Sequence, residues 1–281
     1  MSFYGNQTER MVESATPGIH LHTITNLAET PQVNIIIVHG LSSYAKSYDP
    51  FASFLVKHDC NVFRYDQPGH GKSEGPRGYM DSLADLYENL HVMVRRTKTA
   101  YPNLPLFVIG HSMGGETVLL YGIKYPQTVD GFVVADPVSI VKAPNSWSKG
   151  LTGDPKKQLP NVLSTGLNSD PRVVHRIQND PANLHHLTVG ILQNEIKGAY
   201  SLREHLTGFK DPLLFLQGQK DGLIDYHDSL EGHSVRFKLL YERMGDDCQL
   251  VCGKMGVSHL WFSFFCLGVF KSLPQMAFLF F

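Results

Sequence analysis

The segment Leu106-Phe107-Val108-Ile109-Gly110-His111-Ser112-Met113-Gly114-Gly115 decides how the rest of the chain is read. Leu106 to Ile109 is a short apolar run with β-branched members, set off upstream by Pro102, Asn103 and Pro105, and it reads as a buried strand. After Gly115, the residues Val118, Leu119, Gly122 and Ile123 recur at helical spacing with no breaker before Pro126. Between the two lies Gly110-His111-Ser112-Met113-Gly114, a Gly-x-Ser-x-Gly match on a turn one residue wide. A serine on so sharp a corner takes strained backbone angles, and side chains at the flanking positions would strike strand or helix, hence the glycines. The corner lifts the hydroxyl above the sheet, and the following helix points its positive end at the same place.

A lone match of this kind is weak, and the chain carries a second one, Gly71-Lys72-Ser73-Glu74-Gly75. Context separates them. The second follows a polar Gly/His loop, has a charge on each side of its serine, and runs into Pro76 and Gly78 instead of an apolar helix. Ser112 is therefore the candidate nucleophile and Ser73 a loop residue.

Working outward, Ile35-Ile36-Ile37-Val38 is a continuous apolar run of the sort a strand covered on both faces needs, and it ends in His39-Gly40-Leu41. An alternating piece from Gly18 to Ile24 precedes it, and helical periodicity through Tyr48, Phe51, Phe54 and Leu55 comes after it. Asn61 to Asp66 reads as a strand leading into the tight loop Gln67-Pro68-Gly69-His70-Gly71-Lys72-Ser73. Leu83, Leu86, Leu90 and Val94 mark an amphipathic helix over 82–96 with Ser82 as its N-cap, and Phe132 to Ala135 is a further strand. Strands alternating with helices imply a mostly parallel sheet flanked by helices.

From about Val138 to Phe209 the pattern changes. Prolines and glycines break it into short helices such as 172–178 and 187–197, too long and too structured for a simple connection. The expectation is an α/β core of residues 1–137 and 210–281, with residues 138–209 inserted after the sixth strand as a helical lid. The sheet resumes at Pro212 to Leu216, and Gln249-Leu250-Val251 is the candidate last strand.

Composition narrows the class. With 281 residues, 42% hydrophobic and 18% charged, the chain suits one α/β domain with an insertion and a sizeable core. The net charge is −1 and no basic run appears, so no nucleic-acid partner is expected. Cys60, Cys248, Cys252 and Cys266 show neither a disulfide framework nor a zinc spacing, and reduced thiols are expected. His185-His186 reads as solvated or core-satisfied in preference to a metal site. Met1 to Thr16 is polar and lacks a signal-peptide core, which gives the expectation of a cytoplasmic address.

Acyl transfer needs a nucleophile, a base, a group that orients the base, and donors for the oxyanion. The order Ser, acid, His is the one that goes with this kind of elbow. Asp221, in Gly218-Gln219-Lys220-Asp221-Gly222, comes after the strand ending at Leu216, while Asp136 ends the preceding strand and remains a second acid within reach. Among the fourteen histidines only His259 lies beyond both acids and after the expected last strand. The backbone N–H of Met113 and that of Leu41, after the Ile35–Val38 strand, are the expected oxyanion donors.

Taken together, His39-Gly40, Asp66 to Gly75, Gly110 to Gly115 and Gln217 to Asp221 resemble the monoglyceride lipase/lysophospholipase group of the α/β-hydrolases, as do Asn179-Asp180-Pro181 and the helix through Ile191 and Leu192. The resemblance covers roughly residues 15 to 260. It implies the α/β-hydrolase fold, a Ser112–Asp221–His259 triad, Leu41 and Met113 as oxyanion hole, an apolar acyl tunnel under the lid, a small polar head-group pocket and no cofactor. It also implies a lipid ester as the small-molecule substrate and a lid able to touch membranes. Two departures stand out: extra residues between Asp221 and His259, and a nearly uncharged tail from Leu260 to Phe281. Leu260 to Phe270 is about half a bilayer span, and Lys271 and Pro274 interrupt the residues beyond it, so a buried or interfacial helix is favoured over an anchor.

Three functions are compatible with these residues, in descending order: a serine hydrolase releasing fatty acid and glycerol from monoacylglycerols, a lysophospholipase or general carboxylesterase, and a catalytically inactive homologue that binds ligand or membrane. Fold and triad do not separate the first two.

Overall fold

The computed structural model describes residues 6–138, 151–163 and 170–216 in full, and the backbone of 217–218, 240–243 and 248–252. Asp221, His259 and the 260–281 tail lie outside the described residues. Eleven strands and five α-helices are described: β1 (Asn6–Glu13), β2 (His20–Leu27), β3 (Val33–Val38), α1 (Asp49–Val56), β4 (Cys60–Tyr65), α2 (Ala84–Ala100), β5 (Leu106–His111), α3 (Met113–Lys124), β6 (Gly131–Ala135), β7 (Gln158–Pro160), α4 (Pro171–Asn179), β8 (His186–Thr188), α5 (Val189–His205), β9 (Leu213–Gly218), β10 (Leu240–Arg243) and β11 (Cys248–Cys252).

Nine strands form one sheet in the order β1-β2-β4-β3-β5-β6-β9-β11-β10. Its five central strands, β4 to β9, run parallel, and antiparallel pairs close both margins. This is the α/β-hydrolase architecture expected from the sequence. Alternate residues of each central strand enter opposite layers, as the two-residue period of a strand requires. Ile36, Val38, Val108, Phe132 and Val134 pack against Leu90, Met93 and Val94 of α2 and Val118 to Tyr121 of α3. Ile35, Ile37, Ile109, Val133 and Leu214 pack under Phe51, Ala52 and Leu55 of α1 on the other face.

The polar N-terminal stretch carries a strand that the sequence did not mark: β1 pairs along its full length with β2, from Asn6–Leu27 to Glu13–His20. One expected boundary also needs correction. The helix expected over 187–197 begins at Val189 and runs to His205, because His186–Thr188 pairs with β7 instead. The Thr188 hydroxyl caps that helix by accepting the Ile191 N–H at 3.2 Å. Ser82 does cap α2, accepting the Ala84 N–H at 3.0 Å, while Asp85 Oδ2 accepts the Ser82 N–H in return. Between β6 and β9 the described chain carries the β7–β8 pair, α4 and α5, and α5 packs on α3.

Candidate active site

Ser112 sits alone between β5 and α3 with φ 54° and ψ −120°, a conformation that strains any residue with a side chain. Such strain costs roughly 1–3 kcal/mol and persists only where the surroundings hold it. Here the Ser112 N–H donates to Ala135 O at 2.9 Å, and its carbonyl accepts the Glu116 N–H at 3.0 Å. A Cβ at position 110 would collide with the Gly114 carbonyl, and one at 114 with the carbonyl of Val38. The two flanking glycines thus let the start of α3 press against the ends of β5 and β3. Ser112 itself is half-buried.

Beside it lies the loop after β3. A Cβ built on Gly40 would stand 3.1 Å from the Ser112 Cβ, so the His39–Leu41 stretch packs directly on the serine. The Gly40 carbonyl accepts the Ser43 N–H at 3.2 Å and lies 2.8 Å from His39 Nδ1. Because His39 Nε2 accepts the Gln67 N–H at 2.9 Å, the ring proton belongs on Nδ1 and donates to Gly40 O. Burial lowers the His39 pKa, which favours this neutral form. In a trans peptide the C=O and the next N–H point in opposite directions, so pinning the Gly40 oxygen also fixes the Leu41 N–H. Met113 opens α3, where the first N–H groups have no partner within the helix. The loop after β3 and the start of α3 thus meet at Ser112.

Behind this wall the Tyr48 hydroxyl lies 3.0 Å from His111 Nδ1, and burial, then the neighbouring His39, push the His111 pKa down to about 4. The roof is apolar: Met80, Leu86 and Met113 cluster with Leu184, Leu187, Ile191 and Leu192, and Leu41 packs at the edge. The chain between β6 and β9 thus supplies a hydrocarbon ceiling over the residue next to the nucleophile.

Asp136 ends β6 with φ 45°, half-buried, its N–H donating to Leu216 O at 2.9 Å at the same edge of the sheet as Ser112. Strand β9 runs parallel to β6 and ends at Gly218, three residues (221 − 218) before Asp221. The strand expected before His259 is present as β11, but it runs antiparallel to β9, pairing Cys252 with Leu214. It leaves the sheet at the edge opposite Ser112. Seven residues (259 − 252) span at most roughly 25 Å, against about 17 Å for a five-residue strand, so the linker is long enough for a return.

The second glycine-flanked serine is buried in a different role. Ser73 Oγ donates to Asp66 O at 2.6 Å and accepts the His22 N–H at 2.8 Å. Sequence reasoning passed over His39 as a side chain, Tyr44 and Glu116. The first carried a signal, a histidine beside the glycine that touches the nucleophile. Glu116 carried another, a lone acid inside an otherwise apolar helix.

Known proteins resemble the chain over most of its length. The family profile described as Serine aminopeptidase, S33, matches residues 29–261. A monoacylglycerol lipase of Mycolicibacterium smegmatis is 31% identical over 208 residues, covering 69% of this chain and 72% of that protein. A monoglyceride lipase of Rattus norvegicus is also 31% identical over 208 residues, covering 70% and 67%. Among solved structures, a soluble variant of monoglyceride lipase from Saccharomyces cerevisiae in complex with a substrate analog superposes with a TM-score of 0.70 at 18% identity, over 80% of each chain.

Proposed function

The chain belongs to the hydrolase family described as Serine aminopeptidase, S33, within its monoglyceride lipase group, and from that premise we propose that it hydrolyses the ester bond of monoacyl lipids, monoacylglycerols first among them. The observation that carries the reading is the strained Ser112, flanked by the Leu41 and Met113 backbone under an apolar roof. An ester of a long-chain acid presents the two things this site receives: a carbonyl oxygen that becomes negative, and a hydrocarbon chain that leaves water.

In the proposed reaction Ser112 Oγ attacks the ester carbonyl as His259 takes its proton, with Asp221 orienting the imidazole. The tetrahedral oxygen is held by the N–H groups of Leu41 and Met113. Collapse breaks the bond to the alkoxy oxygen, which leaves as glycerol with the proton from His259. Water, deprotonated by the same histidine, then attacks the acyl-enzyme, the bond to Ser112 Oγ breaks as the histidine returns that proton to Oγ, and fatty acid and free Ser112 result. No cofactor enters these steps. Residues 138–209 act as a lid over the acyl chain, and the protein works in the cytoplasm with contact to lipid surfaces. Among the described residues no helix is long and apolar enough to cross a membrane.

The test is turnover and labelling together. Wild-type protein should release fatty acid from a monoacylglycerol faster than from lysophosphatidylcholine or a short aryl ester, and Ser112→Ala should abolish both turnover and fluorophosphonate labelling. Labelling that survives in Ser112→Ala moves the nucleophile elsewhere. A wild-type protein that is folded yet unlabelled makes the chain an inactive homologue.

A further inference from the structure

The loop that carries Leu41 is gripped from two sides. Its inner side is tied to the core by His39, which donates to Gly40 O, and by the Ala45 N–H, which donates to Asp66 Oδ1 at 2.6 Å, while the Ser43 N–H closes the turn on Gly40 O. Its outer side is tied to the chain between α4 and β8. The Leu184 N–H donates to Ser42 O at 2.9 Å, and the Tyr44 hydroxyl donates to Asp180 Oδ2 at 2.6 Å. Ser42 lies between these grips with φ 65°, a left-handed conformation that a non-glycine residue keeps only when held.

Asp180 is built to hold both outer contacts at once. It ends α4, and its other oxygen, Oδ1, accepts the Ala182 N–H at 2.9 Å. Its backbone carbonyl accepts the Asn183 N–H at 3.2 Å and lies 3.0 Å from His185 Nε2. Asn183 Nδ2 donates in turn to Ile177 O at 2.9 Å. The turn Asp180–Leu184 is thereby fixed as one piece on the end of α4, with Leu184 buried in the apolar roof. One carboxylate organises the turn that offers Leu184 N–H to Ser42, and also receives Tyr44 two residues further along the loop.

We propose that Asp180 is a positioning residue for the oxyanion site: through Tyr44 and the Leu184–Ser42 bond it holds the Leu41 N–H on Ser112, so that seating of the inserted segment completes the site. The proposal rests on the ester-hydrolase reading above for its kinetic consequence, though not for its geometry. A segment that forms the acyl roof and also sets an oxyanion donor links two events, closing over the hydrocarbon and readying the serine for attack. An opened segment would leave the nucleophile in place while its donor loop relaxes.

Tyr44→Phe, Asp180→Ala, the double variant and Asp180→Asn test this on the full chain. Because a small misplacement near the reacting atoms costs rate, Tyr44→Phe and Asp180→Ala should each lower kcat about tenfold, with KM changed less than about twofold. The double variant should be no slower than Asp180→Ala, since that change already removes the Tyr44 contact along with the hold on the turn. Asp180→Asn keeps an oxygen for the Ala182 N–H and turns its NH2 to Tyr44, whose hydroxyl oxygen accepts it, so this variant should recover most of the rate. Amide exchange across residues 40–44 should quicken in Tyr44→Phe and Asp180→Ala while the melting temperature stays near wild type. Unchanged kcat, a loss confined to KM, or unchanged exchange across 40–44 overturns the proposal. Wild-type protein that neither turns over esters nor takes a fluorophosphonate refutes the hydrolase reading instead, and the exchange measurement then decides the clamp alone.

Discussion

The two flanks of the nucleophile turn bury ionisable groups by opposite means. On the loop flank, Asp66 is 1% exposed and accepts three donors: His22 Nδ1 at 2.8 Å, the Ala45 N–H at 2.6 Å and the Lys72 N–H at 2.8 Å. The opposite nitrogen of His22 meets Glu9 at 2.9 Å, and Lys72 Nζ meets the same oxygen at 2.8 Å. Arg64, fully buried, donates to Asp49, the Ala45 carbonyl and Asn26. Arg64 Nε and His70 Nε2 are left without a partner among the described residues. On the helix flank, Glu116 of α3 and Glu195 of α5 are 0% and 3% exposed, and neither Glu116 oxygen has a hydrogen-bond partner among the described residues. Burial pushes Glu195 up to about 8, and burial together with Glu195 raises Glu116 well above the usual carboxylate range. The first flank keeps its charges by pairing them, Asp66 with three donors and Arg64 with three acceptors, although Arg64 Nε stays unpaired among the described residues. The second keeps its acids protonated, because an unpaired carboxylate in that seam would cost more than holding the proton.

The largest effect tests the paired side. Asp66→Ala strands three donors, His22, Ala45 and Lys72, and should lose about 3–5 kcal/mol in urea denaturation at pH 7. A loss below about 1 kcal/mol would mean that solvent replaces Asp66 and that the contrast between the flanks is false.

The next test is the pH slope of the helix seam. The folded-state pKa of Glu195 lies near 8 against an ordinary 4.5, so its contribution to stability is present below about pH 4.5 and is lost as pH rises toward 8. The other groups facing the pair among the described residues do not reverse this. Glu195 is the one charge acting on Glu116, burial alone raises Glu195, and the Leu83 side chain packed beside Glu116 is apolar. Glu195→Gln and Glu116→Gln mimic the protonated acids. Glu195→Gln should be more stable than wild type at pH 8 by about 4 kcal/mol and nearly equal to it at pH 4.5, and Glu116→Gln should move in the same direction. Parallel stability–pH curves for wild type and both variants would show that the pair titrates normally.

Packing in the same seam gives a smaller effect. A Cβ at Gly198 would fall on Glu116 Oε1 with Leu83 Cδ1 2.9 Å away, so Gly198→Ala should cost about 1–3 kcal/mol. Adding Glu116→Ala should return most of that loss. If it does not, the crowding comes from Leu83.

The features legible in the chain alone divide along the same lines. Continuous apolar runs located β3, β5, β6 and β9, and spacing located α2 and α3, because burial on one or both faces writes itself into local sequence. Strand β1 was silent because it is a margin strand with only Val12 buried, so no apolar alternation marks it. The start of α5 was misplaced because Leu187 and Thr188 are taken by a strand pairing with residues some thirty positions earlier. Ser112 was legible since its strain, glycines and helix lie within ten residues. The Tyr44–Asp180 contact joins residues 136 apart, and nothing in either neighbourhood announces it. The direction of β11 was equally hidden, since a run of apolar residues carries no sense of which way the strand crosses the sheet.

The smallest prediction returns to the paired flank and reads its sign. The His22 pKa is raised from 6.5, chiefly by the Asp66 hydrogen bond against the opposing pull of burial, with Glu9 adding to it. A histidine so held contributes stability that is fully present below pH 6.5 and fades as pH rises through its higher folded value. Glu9 is held down to about 2, by Lys72 first and then His22, so it stays charged across the range and does not mask the effect. His22→Gln keeps a side-chain amide beside Asp66 but cannot carry the proton. It should cost about 1 kcal/mol at pH 6 and less at pH 9, measured by urea denaturation at both. The sign is the discriminating quantity: a penalty that grows with pH would mean that His22 is held neutral and donates its Nδ1–H to Asp66 without carrying a charge.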